Sequence, residues 1–476
     1  MGVSVMKIKS TKAFLVCLLC FALLAAVHAS VASSAGEGGI ARESGDVQPP
    51  IFGTNEQELE AVLADLGIEV PISKPSIYVN EAGYVSDRDK TILFVGGQCG
   101  NTFEVVRSYD QAVVYTGTIP ESDRDKLSGV AFGVADFSVV DEVGTYYILT
   151  DIVGQSYPFT IAEDTYENLF LNLLRNMSDD NRQESAVGVC DMSFGMHAIM
   201  CAMQYNGSLF EAAYAHLEEQ EQDKQLVTQL LYMANWLIAQ QDTDGSLYGD
   251  YEATAAFCGV MAMSRCSFGK YEKSVDKEYQ QAQERAWNWL CKQECTTDIQ
   301  KNARFYAATQ LFNSDGNSIY RKLADEFLKE QGKDFYADRF LFYGMISYLS
   351  SEKGVDRDLC TNIVMDITDR AQNLCTKAKE DTIAGIGVRT IPDALLNMRY
   401  LSFANYLSPN KEYTLIIENT IQYIGGLNEY GVCCIGADGK WRNAQVTQER
   451  NLEWNGIMLF GMSDMLNNLN AINNVR

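Results

Sequence analysis

Positive charge and proline are both scarce in this 476-residue sequence. Lys and Arg number 38 against 63 Asp and Glu, which gives a formal net charge of −25. A surface this acidic repels phosphate backbones and anionic lipid headgroups, so we expect no nucleic-acid partner and no membrane-surface partner. Only 8 residues are proline, whereas 47% are hydrophobic and 21% are charged. This balance is typical of a folded globular protein and excludes a disordered scaffold.

Long apolar runs are absent except near the N-terminus, at residues 13–27. Three lysines precede that run, and small residues follow it with a cleavage sequence at 27–29, so we predict a signal peptide over residues 1–29. No later stretch approaches the roughly 18 to 20 uninterrupted apolar residues that a spanning helix needs. We therefore expect a secreted or cell-surface, extracytoplasmic protein without a membrane span after cleavage. An uncleaved N-terminal anchor is the alternative.

The cysteines lack the pattern of a disulfide scaffold. Of 13 cysteines, two lie in the predicted signal peptide, and the other eleven are an odd number without clustered, even spacing. Cys291 and Cys295 are four residues apart, but no histidine lies near them in sequence, so a zinc site is not indicated. We interpret the eleven as reduced, buried, small hydrophobic residues, and we expect no metal and no cofactor.

The hydrophobic period divides the remaining chain. Residues 30–75 form a flexible lead-in with one short amphipathic helix. Over residues 76–162, seven short runs of β-branched and aromatic residues alternate with Gly, Asp, Ser or Asn, which predicts an antiparallel immunoglobulin-like β-sandwich. Beyond Asp164 the period is helical, with about twelve amphipathic segments and no fixed repeat length. We therefore favour a closed (α/α)6 toroid over residues 163–476 rather than an open solenoid.

Six local strings occur in order along the chain. They lie at residues 77–84, 135–147, 237–246, 253–257, 286–290 and 423–428. In this order they resemble family-nine glycoside hydrolases, the cellulase family, that carry an N-terminal cellulase immunoglobulin-like domain. The resemblance covers about residues 76 to 470. It implies an inverting hydrolase of β-1,4-glucan, with a β-glycan or oligosaccharide as partner.

Inverting hydrolysis needs one carboxyl group that protonates the leaving oxygen and another that activates water, about 6.5 to 9.5 Å apart. The resemblance implies that the acid lies six residues before an Asn at the start of the last helix, and Glu449 stands at that spacing from Asn455. Glu449 is therefore the candidate general acid. The alternative is a solvated carboxylate beside Arg450, where a helix N-terminus also favours negative charge.

The resemblance is incomplete at the residues that would bind and activate the attacking water. The family string Asp-Ala-Gly-Asp corresponds here to residues 191–194, so that Asp191 is kept while Phe194 replaces the base. Loss of a general base typically costs about 10² to 10⁴ in rate. Asp191 is the second candidate catalytic residue, and we expect it to share a cleft with Glu449. The alternative is that Asp191 caps a helix beginning near Met192.

Aromatic and cationic residues near Glu449 are candidates for substrate binding. The candidates are Trp441, Arg442 and Trp454. An aromatic face suits the apolar face of a pyranose, and an arginine can form hydrogen bonds with a sugar. A loop-packing role is the alternative for Trp441. His197 lies among apolar residues and is interpreted as a core histidine, and Asp242–Gly245 as a tight turn rather than a calcium loop.

Two functions of different class remain open. The first is an exported glucan hydrolase, which predicts a second carboxylate across an open cleft from Glu449. The second is a catalytically impaired carbohydrate-binding or cell-surface protein, which predicts a cleft filled by side chains such as Phe194 and Met192.

The cysteine interpretation can be tested directly. Alkylation of the unfolded, unreduced protein should label most of the eleven cysteines of the mature chain, since we expect free thiols. Protein that is reduced before alkylation gives the full count as a control. Recovery of most of these residues as disulfides would contradict the interpretation.

Overall fold

A computed structural model describes residues 76–96, 99–176, 183–210, 225–268, 273–330, 334–442 and 444–473. Within these ranges, the side chains of residues 225–228, 268, 273–275, 444–451 and 469–473 are not described. The predicted signal peptide and lead-in lie outside the described residues.

Ten strands form two facing sheets in the first module. Their bounds are β1 Ile77–Tyr78, β2 Tyr84–Val85, β3 Thr91–Val95, β4 Thr102–Arg107, β5 Val113–Thr118, β6 Asp123–Arg124, β7 Ala131–Asp136, β8 Gly144–Thr150, β9 Gly154–Gln155 and β10 Phe159–Ala162. One sheet has the order β1-β3-β7-β6, and the other β2-β10-β8-β4-β5 with β9 on β8. The seven predicted strands are all present. The three that were missed, β2, β6 and β9, have two residues each, too few for an alternating pattern.

One strand pair departs from the predicted antiparallel arrangement. Among the described strands all pairings are antiparallel except β2 with β10, where Tyr84 lies opposite Ile161 in parallel. The chain leaves the first sheet after β1, turns at Asn80 and joins the second sheet beside its last strand. The Asn80 carboxamide holds this turn, since its Nδ2 donates to the Gly83 carbonyl at 2.6 Å and its Oδ1 accepts from the Ala82 N–H at 3.1 Å. The prediction of a wholly antiparallel sandwich is therefore wrong at this edge.

Twelve helices with defined bounds follow in the described part of the chain. They are α1 Thr165–Asn176, α2 Ala186–Tyr205, α3 Gln225–Ala239, α4 Tyr251–Phe268, α5 Lys273–Leu290, α6 Asp298–Asp315, α7 Ser318–Lys329, α8 Arg339–Leu349, α9 Arg357–Glu380, α10 Ile391–Leu407, α11 Lys411–Ile424 and α12 Ala444–Asn473. Each overlaps one predicted segment. The last helix begins earlier than predicted.

Burial sorts these helices into an inner and an outer set. The even-numbered helices are buried on all sides over their central turns, including polar residues such as Arg399 and Asn405 of α10. The odd-numbered helices bury one stripe, as expected for an outer layer. Helix α2 is long and apolar enough to cross a membrane, but most of it is buried inside the toroid, so it is a core helix.

The inner helices close into a ring. Neighbouring even-numbered helices pack against each other from α2 to α8 and from α10 through α12 back to α2. Phe342 of α8 meets Tyr400 and Phe403 of α10, with ring centroids 6.1 and 6.4 Å apart, which closes the remaining gap. Because short loops make successive helices antiparallel, the N-termini of all inner helices meet at one end. The predicted order of an immunoglobulin-like sandwich and an (α/α)6 toroid is confirmed.

Two ion-pair groups join the sandwich to the toroid. Arg389, after α9, binds Asp125 of the sandwich at 2.9 Å and Asp381 at 2.6 Å, and all three side chains are at most 9% exposed. Arg88 of the sandwich binds Glu418 of α11 at 2.8 Å. Burial works to raise the pKa of Asp125 and of Asp381. Hydrogen bonds from Arg389 to both groups, from Ser128 to Asp125, and from the Ile386 and Gly387 N–H groups to Asp381 together outweigh it and leave both pKa values below their ordinary range.

The eleven cysteines beyond the predicted signal peptide are all described, and none forms a disulfide bond with another described cysteine. Six are buried, four are half-buried and Cys291 is exposed.

We expect Arg389→Gln to lower the free energy of unfolding by about 3 to 5 kcal/mol, because it leaves two buried carboxylates without their partner. The loss should be largest above about pH 4, where unfolded aspartates are ionised, and should shrink at lower pH as Asp125 and Asp381 protonate in the folded state. Denaturant unfolding across pH measures both effects.

The matched control is Arg370→Gln, because Arg370 and its partner Asp334 are 38% and 62% exposed. Its cost should be at most about 1 kcal/mol. Equal losses in the two variants would contradict the structural role given to Arg389.

Candidate functional site

The candidate site lies at the end of the toroid where the N-termini of the inner helices meet. Helix α2 begins there at Ala186, with Ser185 as its N-cap, and the Ser185 side chain accepts a hydrogen bond from the Gly188 N–H. Asp191 is therefore inside α2, more than one turn beyond its start. The interpretation of Asp191 as the N-cap of its own helix is wrong.

The Asp191 carboxylate instead binds the backbone of α12. Its Oδ1 accepts from the Glu453 N–H at 2.9 Å, and its Oδ2 accepts from the Leu452 N–H at 3.2 Å. The two helices touch closely here, since a Cβ added at Gly195 would lie 2.7 Å from the Leu452 carbonyl oxygen. Only glycine permits that approach. Asp191 is 8% exposed, and both of its carboxylate oxygens accept hydrogen bonds from the protein backbone.

Burial has a marked effect on the acidity of Asp191. Removal of the carboxyl group from water raises its pKa to about 7, and the nearby Glu453 charge acts in the same direction. The two backbone N–H groups and the Arg339 charge oppose this rise and favour the ionised form. The group is thus poised to change protonation near neutral pH.

Glu453 is a buried charge that the sequence did not reveal. Its carboxylate is 1% exposed and pairs with Arg339 of α8 at 2.9 Å and with Arg399 of α10 at 3.9 Å. The signal that could have found it is weak. Glu453 lies one helical turn after Glu449, and Arg339 and Arg399 occur in apolar segments.

Phe194, at the position where the resemblance places a base, is fully buried in an aromatic cluster. Its ring stacks on Tyr343 with centroids 5.4 Å apart and meets Phe340 edge-on at 5.0 Å. The Arg339 guanidinium lies over the ring at 4.8 Å, a cation–π contact. Met192 is also buried, at 1% exposure. Side chains therefore fill this part of the toroid.

Glu449 lies in the first turns of α12, on the N-terminal side of Leu452. The structure does not describe the Glu449 side chain, so the expected separation between the Glu449 and Asp191 carboxyl groups stays a prediction. The backbone nevertheless places the Glu449 turn next to the turn that Asp191 binds.

The three predicted substrate-binding residues have different environments. Trp441 is half-buried, and its Nε1 donates to Asn455 Oδ1 of α12 at 2.6 Å. The Arg442 side chain is 49% exposed and lies 3.6 Å from Asp438. Trp454 is 5% exposed within the toroid core, which leaves its ring little surface for a sugar. Its burial argues against the predicted substrate contact.

The interpretations of His197 and of residues 242–245 agree with their placement. His197 is fully buried, its Nδ1 lies 2.9 Å from the Tyr306 hydroxyl, and burial lowers its pKa to about 3. Asp244 accepts hydrogen bonds from the backbone and side chain of Ser246, and the Asp242 N–H donates to the Ser246 carbonyl, which makes a turn. No group of three metal-ligating side chains occurs among the described residues.

Known proteins resemble both modules. A family model described as "Cellulase N-terminal ig-like domain" matches residues 73–155. Endoglucanase D of Acetivibrio thermocellus is 23% identical, over 84% of this chain and 81% of its own length.

Solved structures are similar over nearly their whole length. A metagenome-derived glycoside hydrolase family 9 endoglucanase has a TM-score of 0.65 and 16% identity, covering 82% of this chain and 98% of its own. AaCel9A in complex with cellobiose-like isofagomine has a TM-score of 0.61 and 18% identity, covering 82% and 99%. The chain is thus similar to family-nine cellulases in both modules, as its local strings indicated, and the likeness to the solved structures is one of fold.

The Asp191 environment predicts a pH-dependent stability. The pKa of Asp191 is near 7 in the folded state and near 4 in the unfolded state. The folded state therefore keeps its full stability below about pH 4, where Asp191 is protonated in both states, and loses stability as pH rises through about 7. Asp191→Asn removes this titration. Between about pH 5 and pH 8 the free energy of unfolding should therefore fall by about 2 to 3 kcal/mol less in the variant than in the wild type.

Denaturant unfolding at several pH values measures this difference. Asp298→Asn is the control, since the Asp298 side chain is 95% exposed. Parallel pH profiles for wild type and Asp191→Asn would show that Asp191 is not the titrating group.

Proposed function

We propose that this chain is an exported, cellulase-like glycoside hydrolase that acts on the O-glycosidic bonds of β-1,4-glucan. The observation that carries this is the junction of α2 and α12, which brings the segment with Asp191 beside the turn with Glu449 at the end of the toroid where the inner helices begin. The similarity of both modules to endoglucanases supports the substrate class. The proposal of export rests on the N-terminal apolar segment.

In this proposal Glu449 is the general acid that protonates the leaving oxygen while water attacks the anomeric carbon from the opposite face. The contacts of Asp191 support a change in its role. Both carboxylate oxygens bind α12, so Asp191 acts by holding the Glu449 turn in place rather than by activating water. A base for the water then has to come from another carboxylate at the rim of the cleft.

A second candidate function is a catalytically impaired protein that still binds glucan. Phe194 favours it, because a stacked, fully buried ring occupies the position expected for the base. Binding does not require that base. Half-buried Trp441 and exposed Arg442 supply an aromatic face and hydrogen-bond donors for a sugar in either case.

One experiment separates the two functions. Release of reducing ends from β-1,4-glucan and binding of cellohexaose are measured for the wild type and Glu449→Gln, with unchanged melting temperature required of the variant. Hydrolysis by the wild type that falls at least about tenfold in Glu449→Gln would support the first function. Glu121→Gln, an exposed residue of the sandwich, is the surface control.

The other outcomes are equally informative. Hydrolysis that Glu449→Gln leaves unchanged would show that Glu449 is not the acid. Binding without hydrolysis would favour the second function, and neither binding nor hydrolysis would exclude both.

A further inference from the structure

Tyr248 has a backbone conformation that its side chain disfavours. Its φ is +55°, and Gln111 at +58° is the other non-glycine residue with positive φ in the described part of the chain. A bulky residue in this left-handed region is an outlier, because its Cβ approaches the backbone carbonyl oxygen. Glycine would avoid this cost, and the next residue, Gly249, is a glycine with φ of +63°.

The loop around Tyr248 holds it in this conformation. The loop connects α3 to α4 and is closed by isolated bridges from Leu247 to Gln241 and to Asp250. The Leu247 N–H donates to Thr254 Oγ1 of α4 at 3.0 Å. The backbone on both sides of Tyr248 is therefore fixed.

The Tyr248 side chain is fixed as well, yet it is not buried. Its hydroxyl donates to Gln240 Oε1 at 2.6 Å, while 43% of the residue stays exposed. An aromatic ring held at its Cα and at its hydroxyl, with a face in solvent, loses little further freedom when a ligand packs on it. Such preorganisation lowers the entropic cost of binding.

Tyr248 lies at the same end of the toroid as the candidate site. It precedes Asp250 by two residues, and the Asp250 side chain accepts from the Ala253 N–H in the first turn of α4. Burial, the Glu184 charge and the Asp242 charge together raise the pKa of the Tyr248 phenol. Tyr248 directly precedes α4, and α4 packs against α2, whose N-terminus lies at the same end of the toroid.

We propose that Tyr248 is a sugar-stacking residue, whose ring packs on the apolar face of one pyranose unit of a glucan chain at the N-terminal end of α2 and α4. The class of ligand rests on the proposed function. Backbone strain that stability alone would remove is typical of a residue kept for a ligand. The exposed, fixed ring supplies the contact that a pyranose face needs.

The test combines affinity and stability for Tyr248→Gly, with cellohexaose as the probe. We expect cellohexaose affinity to fall about five- to tenfold, because the stacking contact is lost. The melting temperature should stay equal or rise, because glycine relieves the positive φ. Tyr248→Phe should keep affinity within about twofold of wild type, since the ring remains.

Gln111→Gly is the matched control. Gln111 has the same kind of backbone strain and also binds a tyrosine hydroxyl through its side chain, that of Tyr147 at 2.7 Å, but it lies in the sandwich. It should change stability without changing cellohexaose affinity. If Tyr248→Gly fails to fold, Tyr248→Asn replaces it, because asparagine also tolerates positive φ.

The outcomes distinguish the stacking role from the proposed function. Wild-type binding that is unchanged in Tyr248→Gly would overturn the stacking role alone. A fall of affinity in Gln111→Gly as large as that in Tyr248→Gly would also overturn it, since strain and not the ring would then be responsible. Absence of cellohexaose binding by the wild type would overturn the stacking role together with the proposed function.

Discussion

The junction of α2 with α12 is the contact on which the helical domain depends. Asp191 accepts hydrogen bonds from two backbone N–H groups of α12, and small residues let the two helices approach closely. Next to it, Glu453 pairs with Arg339 of α8 and Arg399 of α10. Four of the six inner helices are thus joined through charged groups, in addition to the aromatic contacts that close the ring.

Buried charges of this kind specify contacts more than they add stability. Taking a carboxylate and a guanidinium out of water costs about as much as their attraction returns, whereas loss of one partner leaves an uncompensated charge. Glu453, Arg339 and Arg399 form such a group, and Asp191 adds a second negative charge when it is ionised, so removal of Glu453 or of its arginine partners carries that cost. We interpret the group as the feature that fixes which inner helices meet, while apolar packing supplies most of the free energy.

The same contacts limit the chemistry of the candidate site. Asp191 is committed to α12, and Phe194 is committed to an aromatic cluster beneath Arg339. Both Asp191 oxygens already accept hydrogen bonds from α12, and the Phe194 ring has no group that accepts a proton from water. Tyr248, Trp441 and Arg442 keep part of their surface accessible, and these are the residues that we propose hold a sugar. Binding is therefore the part of the proposed function that the geometry supports most directly.

The sequence by itself determined the order of the modules, because hydrophobic periods of two and of 3.6 residues report which faces of strands and helices are buried. It also identified His197 as a core residue and residues 242–245 as a turn, since neighbouring residues decide both. Only the tertiary structure decided the partners of Asp191, the ion pairs of Glu453 and the parallel pairing of β2 with β10. The physical reason is distance along the chain: Asp191 and Glu453 are 262 residues apart, and a charge in an apolar segment does not reveal which distant charge or N–H group compensates it.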